Sequence, residues 1–260
     1  MKKFVLIVFC CLCVTLGYSQ RFIGSLILGG NLSQVEGDDV RGYRKPGFVG
    51  GASVMIALDK KMQWFATVEL LYTQKGSRSS TTRPFDTTNY APATFLDVNR
   101  SAEFHPSAKY KCRIDLDYVE IPVLFHYEDW HTGCAFGLGF AWGRLVRAQE
   151  WYNGFKRNTS INSGTYRTSD WSVVADVKFM LYKGLKLEFR FQYSLAPIRN
   201  FVIEYSNTTL PTEYKKQYNN MFSLRLVYSF KEKYTENMHE NKRGERVGVK
   251  WIRDVNLYDE

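Results

Sequence analysis

After its first twenty residues this chain has no long apolar run. Crossing a bilayer as a helix takes about 18 or more consecutive apolar residues, and no later segment approaches that, so no membrane-spanning helix is predicted. Cysteine is scarce: Cys10, Cys11 and Cys13 lie in the N-terminal run, and only Cys112 and Cys134 lie beyond it. The patterning below puts those two on neighbouring strands of one hairpin, Cys134 beside the turn and Cys112 far from it. That geometry argues against a disulfide even in an oxidising compartment, and both read as small apolar wall residues. Histidine is too sparse for a metal site. His105, His126, His131 and His239 show no ligand spacing on a shared element, and His126 and His131, flanking a turn, read as surface or interfacial residues. Phosphate-cradling loops and nucleotide fingerprints are missing, so no cofactor is implied. The formal charge is +9, but the excess is spread thinly. With no basic arm and no DNA- or RNA-binding motif, nucleic acid is excluded as a partner.

What the chain has instead begins at its N-terminus. Lys2 and Lys3 precede the apolar run Phe4 to Leu16, and Gly17-Tyr18-Ser19 follow. This reads as a secretory signal peptide over residues 1–19, leaving Gln20 first in the mature chain. A lipoprotein signal is the competing reading. It fits poorly, because Val8 and Phe9 stand before Cys10 where small residues are wanted.

The next feature is strict alternation. In Leu185–Leu195, LKLEFRFQYSL, one face carries Leu185, Leu187, Phe189, Phe191, Tyr193 and Leu195 and the other Lys186, Glu188, Arg190, Gln192 and Ser194. Successive strand side chains point to opposite sides of a sheet, and the length suits a tilted transmembrane strand of about 9–11 residues. Seven further segments are patterned alike: about Arg21–Ser33, Gly47–Leu58, Met62–Gly76, Lys111–Glu128, Gly133–Val146, the stretch around Trp171–Leu181, and Phe222–Phe230. In the fourth of the eight, Ile114, Leu116 and Tyr118 are out of phase with Val119, Ile121, Val123, Phe125 and Tyr127. This predicts a β-bulge near Tyr118–Val119, or a first half standing above the membrane. Tight turns at Asp59–Lys61, Asp129–Thr132 and Tyr182–Gly184 alternate with long loops at Gln34–Pro46, Ser77–Tyr110, Arg147–Thr168 and Ala196–Tyr218. The fold expected is all-β: an eight-stranded antiparallel up-and-down transmembrane β-barrel over residues 20–230, in the outer membrane. The long loops are expected to be extracellular and both termini periplasmic.

Alternation alone does not say which face points out. An eight-stranded barrel has an interior just wide enough to be filled by side chains. Six large residues per strand do not fit there, whereas the glycine–alanine face of Gly133–Gly143 does. The aromatic faces therefore meet lipid, with Trp64, Trp142, Trp171, Tyr72, Tyr193 and Tyr228 on the wall. The charged faces turn inward, and Glu69, Asp176, Lys178, Lys186, Glu188, Arg190 and Arg225 are expected to form an interior salt-bridge network.

Two segments carry a family resemblance. Glu69–Ser77, ELLYTQKGS, and Leu116–Leu124, LDYVEIPVL, are similar to segments of the PorT-family outer-membrane β-barrel proteins of Bacteroidota. The glycine-bearing Phe136–Gly143 and Gly47–Gly51 fit as well, and the resemblance spans about Arg21–Phe230. It implies a small outer-membrane barrel. The family's name member is tied to the type IX secretion system, while most members have no assigned activity. The chain departs from the plain pattern at its end. Phe222–Phe230, FSLRLVYSF, looks like the terminal signal read by barrel-assembly machinery, yet residues 231–260 follow.

That extension carries seven Lys and Arg against seven Asp and Glu. Such polarity suits a disordered periplasmic tail. However, Val247, Val249, Trp251, Ile252, Val255, Leu257 and Tyr258 cluster near its end, which suits docking on a periplasmic partner by strand addition. The function expected is a non-enzymatic subunit or accessory of a larger outer-membrane assembly, of the type IX secretion or barrel-assembly kind. A free-standing structural barrel or narrow pore is the alternative. More distant is a lipid-A-modifying enzyme, for which His105 with Ser101 and Ser107 are the candidates. Outer-membrane lipid and lipopolysaccharide are expected partners, with Arg41, Arg44, Lys45, Lys156 and Arg157 as candidate phosphate contacts.

Overall fold

Strand pairing closes the chain on itself. The computed structural model describes residues 22–37, 42–59, 63–78, 93–97, 112–129, 132–152, 155–156, 159–205, 213–230, 234–240 and 246–253. Its strands are β1 (Phe22–Glu36), β2 (Lys45–Ala57), β3 (Trp64–Arg78), β4 (Ala93–Asp97), β5 (Cys112–Asp129), β6 (Cys134–Tyr152), β7 (Phe155–Lys156), β8 (Ser169–Tyr182), β9 (Leu185–Ser194), β10 (Arg199–Tyr205), β11 (Glu213–Ser229), β12 (Tyr234–Glu240) and β13 (Arg246–Arg253). Eight of them run β1-β2-β3-β5-β6-β8-β9-β11, and β11 pairs back onto β1. All these pairings are antiparallel. Closure satisfies the ladder hydrogen bonds without a free edge, which a strand structure needs to cross hydrocarbon. The last strand is fastened at its end as well, where Phe230 N donates to Gly24 O at 2.8 Å.

Local chemistry makes the tight ends. The Asp59 carboxylate accepts from the backbone N–H of Gln63 and Trp64, both at 2.9 Å. Gly184 turns between β8 and β9 with φ of 72°, a left-handed value that a side chain would strain. At Gly51 the barrel curves so sharply that an added Cβ would collide with the Leu70 carbonyl.

The outward wall is apolar and broad. Phe22, Leu26, Leu28, Trp64, Phe125, Phe136, Leu138, Phe140, Trp171, Phe189 and Leu224 are all about half exposed or more, a surface that water would not tolerate at this extent. Aromatic residues bound it at both ends. Trp64 lies 5.0 Å from Tyr127, and Tyr228 lies 5.1 Å from Phe230, at the turn end. At the loop end Tyr193 stacks on Tyr218 at 6.2 Å, and Trp142 sits opposite Trp171. Trp64 to Tyr72 spans about 26 Å of strand at about 3.3 Å per residue, or about 20 Å of height once tilted by about 40°, close to the apolar band of outer-membrane barrels.

The strands run further at the loop end than their sequence pattern suggests. β1 continues to Glu36, β6 to Tyr152, and β11 begins at Glu213, all inside segments expected to be loops; β10 and β4 lie there too, β10 paired to β11 and β4 to β10. Beyond Trp142 the outward face turns polar, with Arg144, Arg147 and Gln149 on β6 and Arg113 on β5, while the inward face turns apolar. Ile114, Leu116, Tyr118, Leu145 and Ala148 pack there with Val35, Tyr166 and Ile198. Above lipid the water is outside, so the greasy face turns in. Of the two readings of the phase shift near Tyr118–Val119, the one that stands the first half of β5 above the membrane accounts for it, and a register shift lies beside it, between Asp117 and Tyr118 in the pairing with β6. Every even-numbered residue of β5 from Ile114 to Glu128 is buried, and the apparent phase shift is a swap of which face is apolar. The extra residue of that shift sits on the neighbouring strand. Asp117 faces Arg147 and Tyr118 faces Leu145, leaving Val146 over on β6.

Of the tail, residues 234–240 and 246–253 form an antiparallel hairpin, β12–β13, a sheet separate from the barrel sheet. The expected signal peptide, residues 1–19, lies outside the described residues.

Candidate functional site

The inward faces build a stack of polar tiers. Nearest the tight turns, Lys186 of β9 reaches Glu128 of β5 at 3.4 Å. The middle tier centres on Arg190 of β9. Its two terminal nitrogens donate to Glu69 of β3 at 2.7 and 2.8 Å, and it also meets Asp176 of β8 at 2.8 Å and Glu188 at 3.0 Å. β3 and β9 stand opposite one another in the eight-strand order, so this bidentate pair crosses the lumen. Arg225 of β11 joins Glu69 at 3.5 Å and Glu188. The next tier holds Lys75 between Glu120 at 2.6 Å and Asp170 at 3.1 Å. Gln192 donates to Glu120 and Ser172, and Asn219 donates to Asp170. Above these the apolar layer around Leu116 and Tyr118 closes the lumen, together with Arg199 paired to Glu150 at 2.9 Å.

All seven charges assigned to the interior from sequence lie in this stack, each no more than 5% exposed. Bringing a carboxylate out of water costs several kcal/mol, which close pairing and further hydrogen bonds offset; the bidentate Glu69–Arg190 contact is the strong form of such pairing. Sequence reading missed Lys75, Glu120, Glu128 and Asp170. Their signal was present in the phase of their strands, since Lys75 shares parity with Glu69 and Asp170 with Asp176. Lys75 and Asp170 stand at the ends of their segments, where the alternation borders a loop, and Glu120 and Glu128 lie in the segment whose apolar phase shifts.

His126 corrects its surface assignment. It lies 2% exposed inside the barrel, with Nδ1 3.0 Å from Thr67 Oγ1 and Nε2 3.0 Å from Asp176 Oδ1. Hydroxyl, imidazole and carboxylate in sequence is the connectivity of a nucleophile, base and orienting acid. Here Thr67 is fully buried, and a Cβ at Gly137 would collide with both His126 Nε2 and Asp176 Oδ1. Gly137 is what lets the pair form. His105, Ser101 and Ser107 lie outside the described residues.

Of the candidate phosphate contacts, Lys45 is also corrected. It is buried in β2, 3.5 Å from Asp115. Lys156 is exposed, over the Trp151 ring at 5.9 Å, and Arg44 is exposed. Arg41 and Arg157 lie outside the described residues. In the tail, Val247, Val249, Trp251 and Ile252 fall on β13, with Val249 opposite Met238 and Trp251 opposite Glu236. Val255, Leu257 and Tyr258 lie beyond the described residues. Cys134 is a free thiol beside the Asp129 turn.

Among the described residues, several buried polar atoms of the lumen have no hydrogen-bond partner: Asn31, Thr73, Ser223, Asn219, Gln217 and Arg225 Nε on β1, β3 and β11, and Glu120 Oε2 and Glu188 Oε2 on β5 and β9. Left dry, each would cost about 1–3 kcal/mol, and together they would rival the whole net stability of a domain, about 5–15 kcal/mol.

A closed antiparallel barrel with a lipid-facing wall and a lumen filled by paired charges defines a transmembrane β-barrel protein of the outer membrane. The chain belongs to the family described as the outer membrane protein beta-barrel domain, whose model matches residues 14–200. Among solved structures it is similar to Ail, the attachment invasion locus protein of Yersinia pestis, at 13% identity and a TM-score of 0.42, covering 81% of this chain and 99% of that one. Neisserial surface protein A gives 12% identity and 0.42, covering 81% and 99%. A major outer membrane protein of Thermus thermophilus gives 9% identity and 0.41, covering 81% and 100%. No curated protein matches the chain in sequence.

Proposed function

We propose that this barrel is a non-enzymatic subunit or accessory of a larger outer-membrane assembly, held in the membrane by its wall and joined to a periplasmic partner by its tail. The loop end faces the outside and both termini the periplasm, the layout usual for barrels with short turns at one end and longer connections at the other. The observation that carries the reading is the pairing of β12 with β13 after the barrel has ended. A two-stranded hairpin keeps an unpaired edge on each strand, and such an edge takes up a partner's strand through backbone hydrogen bonds. The resemblance of Glu69–Ser77 and Leu116–Leu124 to PorT-family barrels makes the type IX secretion apparatus the first assembly to try. The ionic tiers support the same reading, because a lumen crossed by Glu69–Arg190 suits anchoring better than transport.

The test is mild-detergent purification of the tagged full chain beside a chain ending at Phe230, with every co-purifying protein identified. The full chain is expected to bring down a partner that the shortened chain, equally folded, does not. Recovery of the same proteins with both chains would remove the tail from the proposal.

A further inference from the structure

We propose that the β5–β6–β8 face of the barrel, just above its aromatic belt, binds a phosphate of outer-leaflet lipid A through Arg144, Arg147 and Arg167. The choice of leaflet rests on the orientation given above; the arginine face does not.

Register sets the height of the site. Trp142 of β6 and Trp171 of β8 stand opposite one another at the upper edge of the apolar wall, where aromatic rings settle between hydrocarbon and headgroups. The headgroup layer above that edge is about 5–8 Å thick. Arg144, two residues beyond Trp142 and opposite Ser169, lies about 5 Å higher, at about 3.3 Å per residue and a tilt of about 40°. Trp142 pairs with Ile121 and Arg147 with Asp117, four residues along β5, or about 10 Å higher by the same measure. Its long side chain can reach back down to the headgroups. Arg144 Nη1 donates to Thr168 Oγ1 at 3.2 Å, which sets the exposed Arg167 beside it on the run into β8.

The charge on this side has one sign. Among the described residues, every exposed charged side chain on the outward face of β3, β5 and β6 above Trp142, and on the run into β8, is an arginine: Arg78, Arg113, Arg144, Arg147 and Arg167. Arg78 stands directly opposite Arg113, and like charges so placed repel. The acids on the same face, Asp115 and Asp117, are buried and already held. Asp115 meets Lys45 at 3.5 Å and Arg113 at 2.9 Å, and Asp117 accepts from Tyr72 at 2.7 Å while Arg147 stays 3.6 Å away. Arg147 Nη2 donates to Gln149 at 2.9 Å. Each guanidinium has five N–H donors, so Arg144 and Arg147 keep most of theirs for a ligand, in the fork that suits a phosphate.

Across the barrel the same level is aromatic instead. Tyr43 packs on Phe222 at 4.8 Å, and Tyr193 donates to Glu36 at 2.9 Å. An anionic headgroup is thereby directed to one face. Three arginines against the single carboxylate of Asp117 leave an excess of two positive charges. That excess matches a phosphomonoester, which carries about −1.5 to −2 at neutral pH, better than the single charge of a phosphodiester lipid. Lipid A is the outer-leaflet lipid with such groups.

Binding is measured by native mass spectrometry on the refolded full chain in non-ionic micelles, with bis-phosphorylated lipid A as the probe. Arg144→Gln with Arg147→Gln is expected to weaken binding about tenfold or more, since two charge-assisted forks are lost. Lys183→Gln with Lys216→Gln removes the same charge elsewhere and is expected to weaken it less than about twofold, as distant exposed charges are screened. Equal losses, or no loss from either pair, overturn the site. Heat-modifiable gel migration checks folding. Should the arginine variant fail to fold, the unaltered chain decides: enzymatically dephosphorylated lipid A is expected to bind about tenfold or more weakly, and equal binding overturns the proposal. Phosphatidylglycerol in the same micelles separates the sources. If it binds as tightly as lipid A, the face is a general anionic surface and the assignment to lipid A is overturned. Orientation is read apart from these. In a chain carrying Cys112→Ser and Cys134→Ser, Ser160→Cys on the exposed loop end is treated with an impermeant maleimide outside intact cells. Absence of labelling there overturns the orientation, and with it the leaflet, and leaves the micelle result standing.

Discussion

At the scale of single residues, Glu69 is the group on which most depends. It is 1% exposed and takes two hydrogen bonds from Arg190 and a contact from Arg225. Removing it leaves two guanidinium groups buried with too little opposing charge, which typically costs about 3–5 kcal/mol. Glu69→Ala is therefore expected to lower the urea midpoint of the refolded barrel much more than Glu128→Ala, whose contact to Lys186 is longer at 3.4 Å. Equal midpoints in urea titrations followed by tryptophan fluorescence would show that the crossing pair is not what holds the lumen together. Part of this site was legible in the sequence, because strict alternation in β9 puts Lys186, Glu188 and Arg190 on one face. Which carboxylate each meets was not legible, because Glu69 and Arg190 are far apart in the chain and adjacent only once the barrel closes. His126 was misread for the same reason. Its neighbours in sequence suggest a turn, and its neighbours in space are Thr67 and Asp176.

At the scale of the element, β6 shows how one strand serves two solvents. Between Phe136 and Trp142 its outward residues face lipid, and beyond Trp142 they face water. Leu138 is 62% exposed on the first stretch, and an arginine near the bilayer midplane costs about 2–4 kcal/mol. Leu138→Arg is expected to cut assembly and stability by that order, while Gln149→Arg on the second stretch changes folding yield and midpoint little. Similar losses from both would place the lipid boundary wrongly. The sequence reported the start of this change as a phase shift in the neighbouring strand. Hydrophobic alternation tells only which face is apolar, and that face is the outer one in lipid and the inner one above it. The real register shift, at Val146, left no mark because Val146 and its neighbour Arg147 both suit an outward position.

At the scale of the whole molecule, the barrel is closed twice over: by ionic tiers that cross its diameter and by apolar layers at both ends of the lumen. No steady ion conductance is expected when the full chain is reconstituted in planar bilayers. A stable open level would favour the narrow-pore alternative over the assembly subunit. Closure also explains how an interior this charged persists, since most of the buried charges have opposite partners on other strands and the pairs become available together when β11 reaches β1.

The sequence by itself determined the eight barrel strands, their antiparallel order, the aromatic wall and the inward side of the charges, because period two, turn chemistry and the size of the lumen are local or geometric constraints. Tertiary structure alone decided the ion-pair partners, the burial of His126 and Lys45 and the extension of the strands above the membrane. Those depend on which side chains meet across the lumen, and that follows from strand register round a closed barrel, which no single strand encodes.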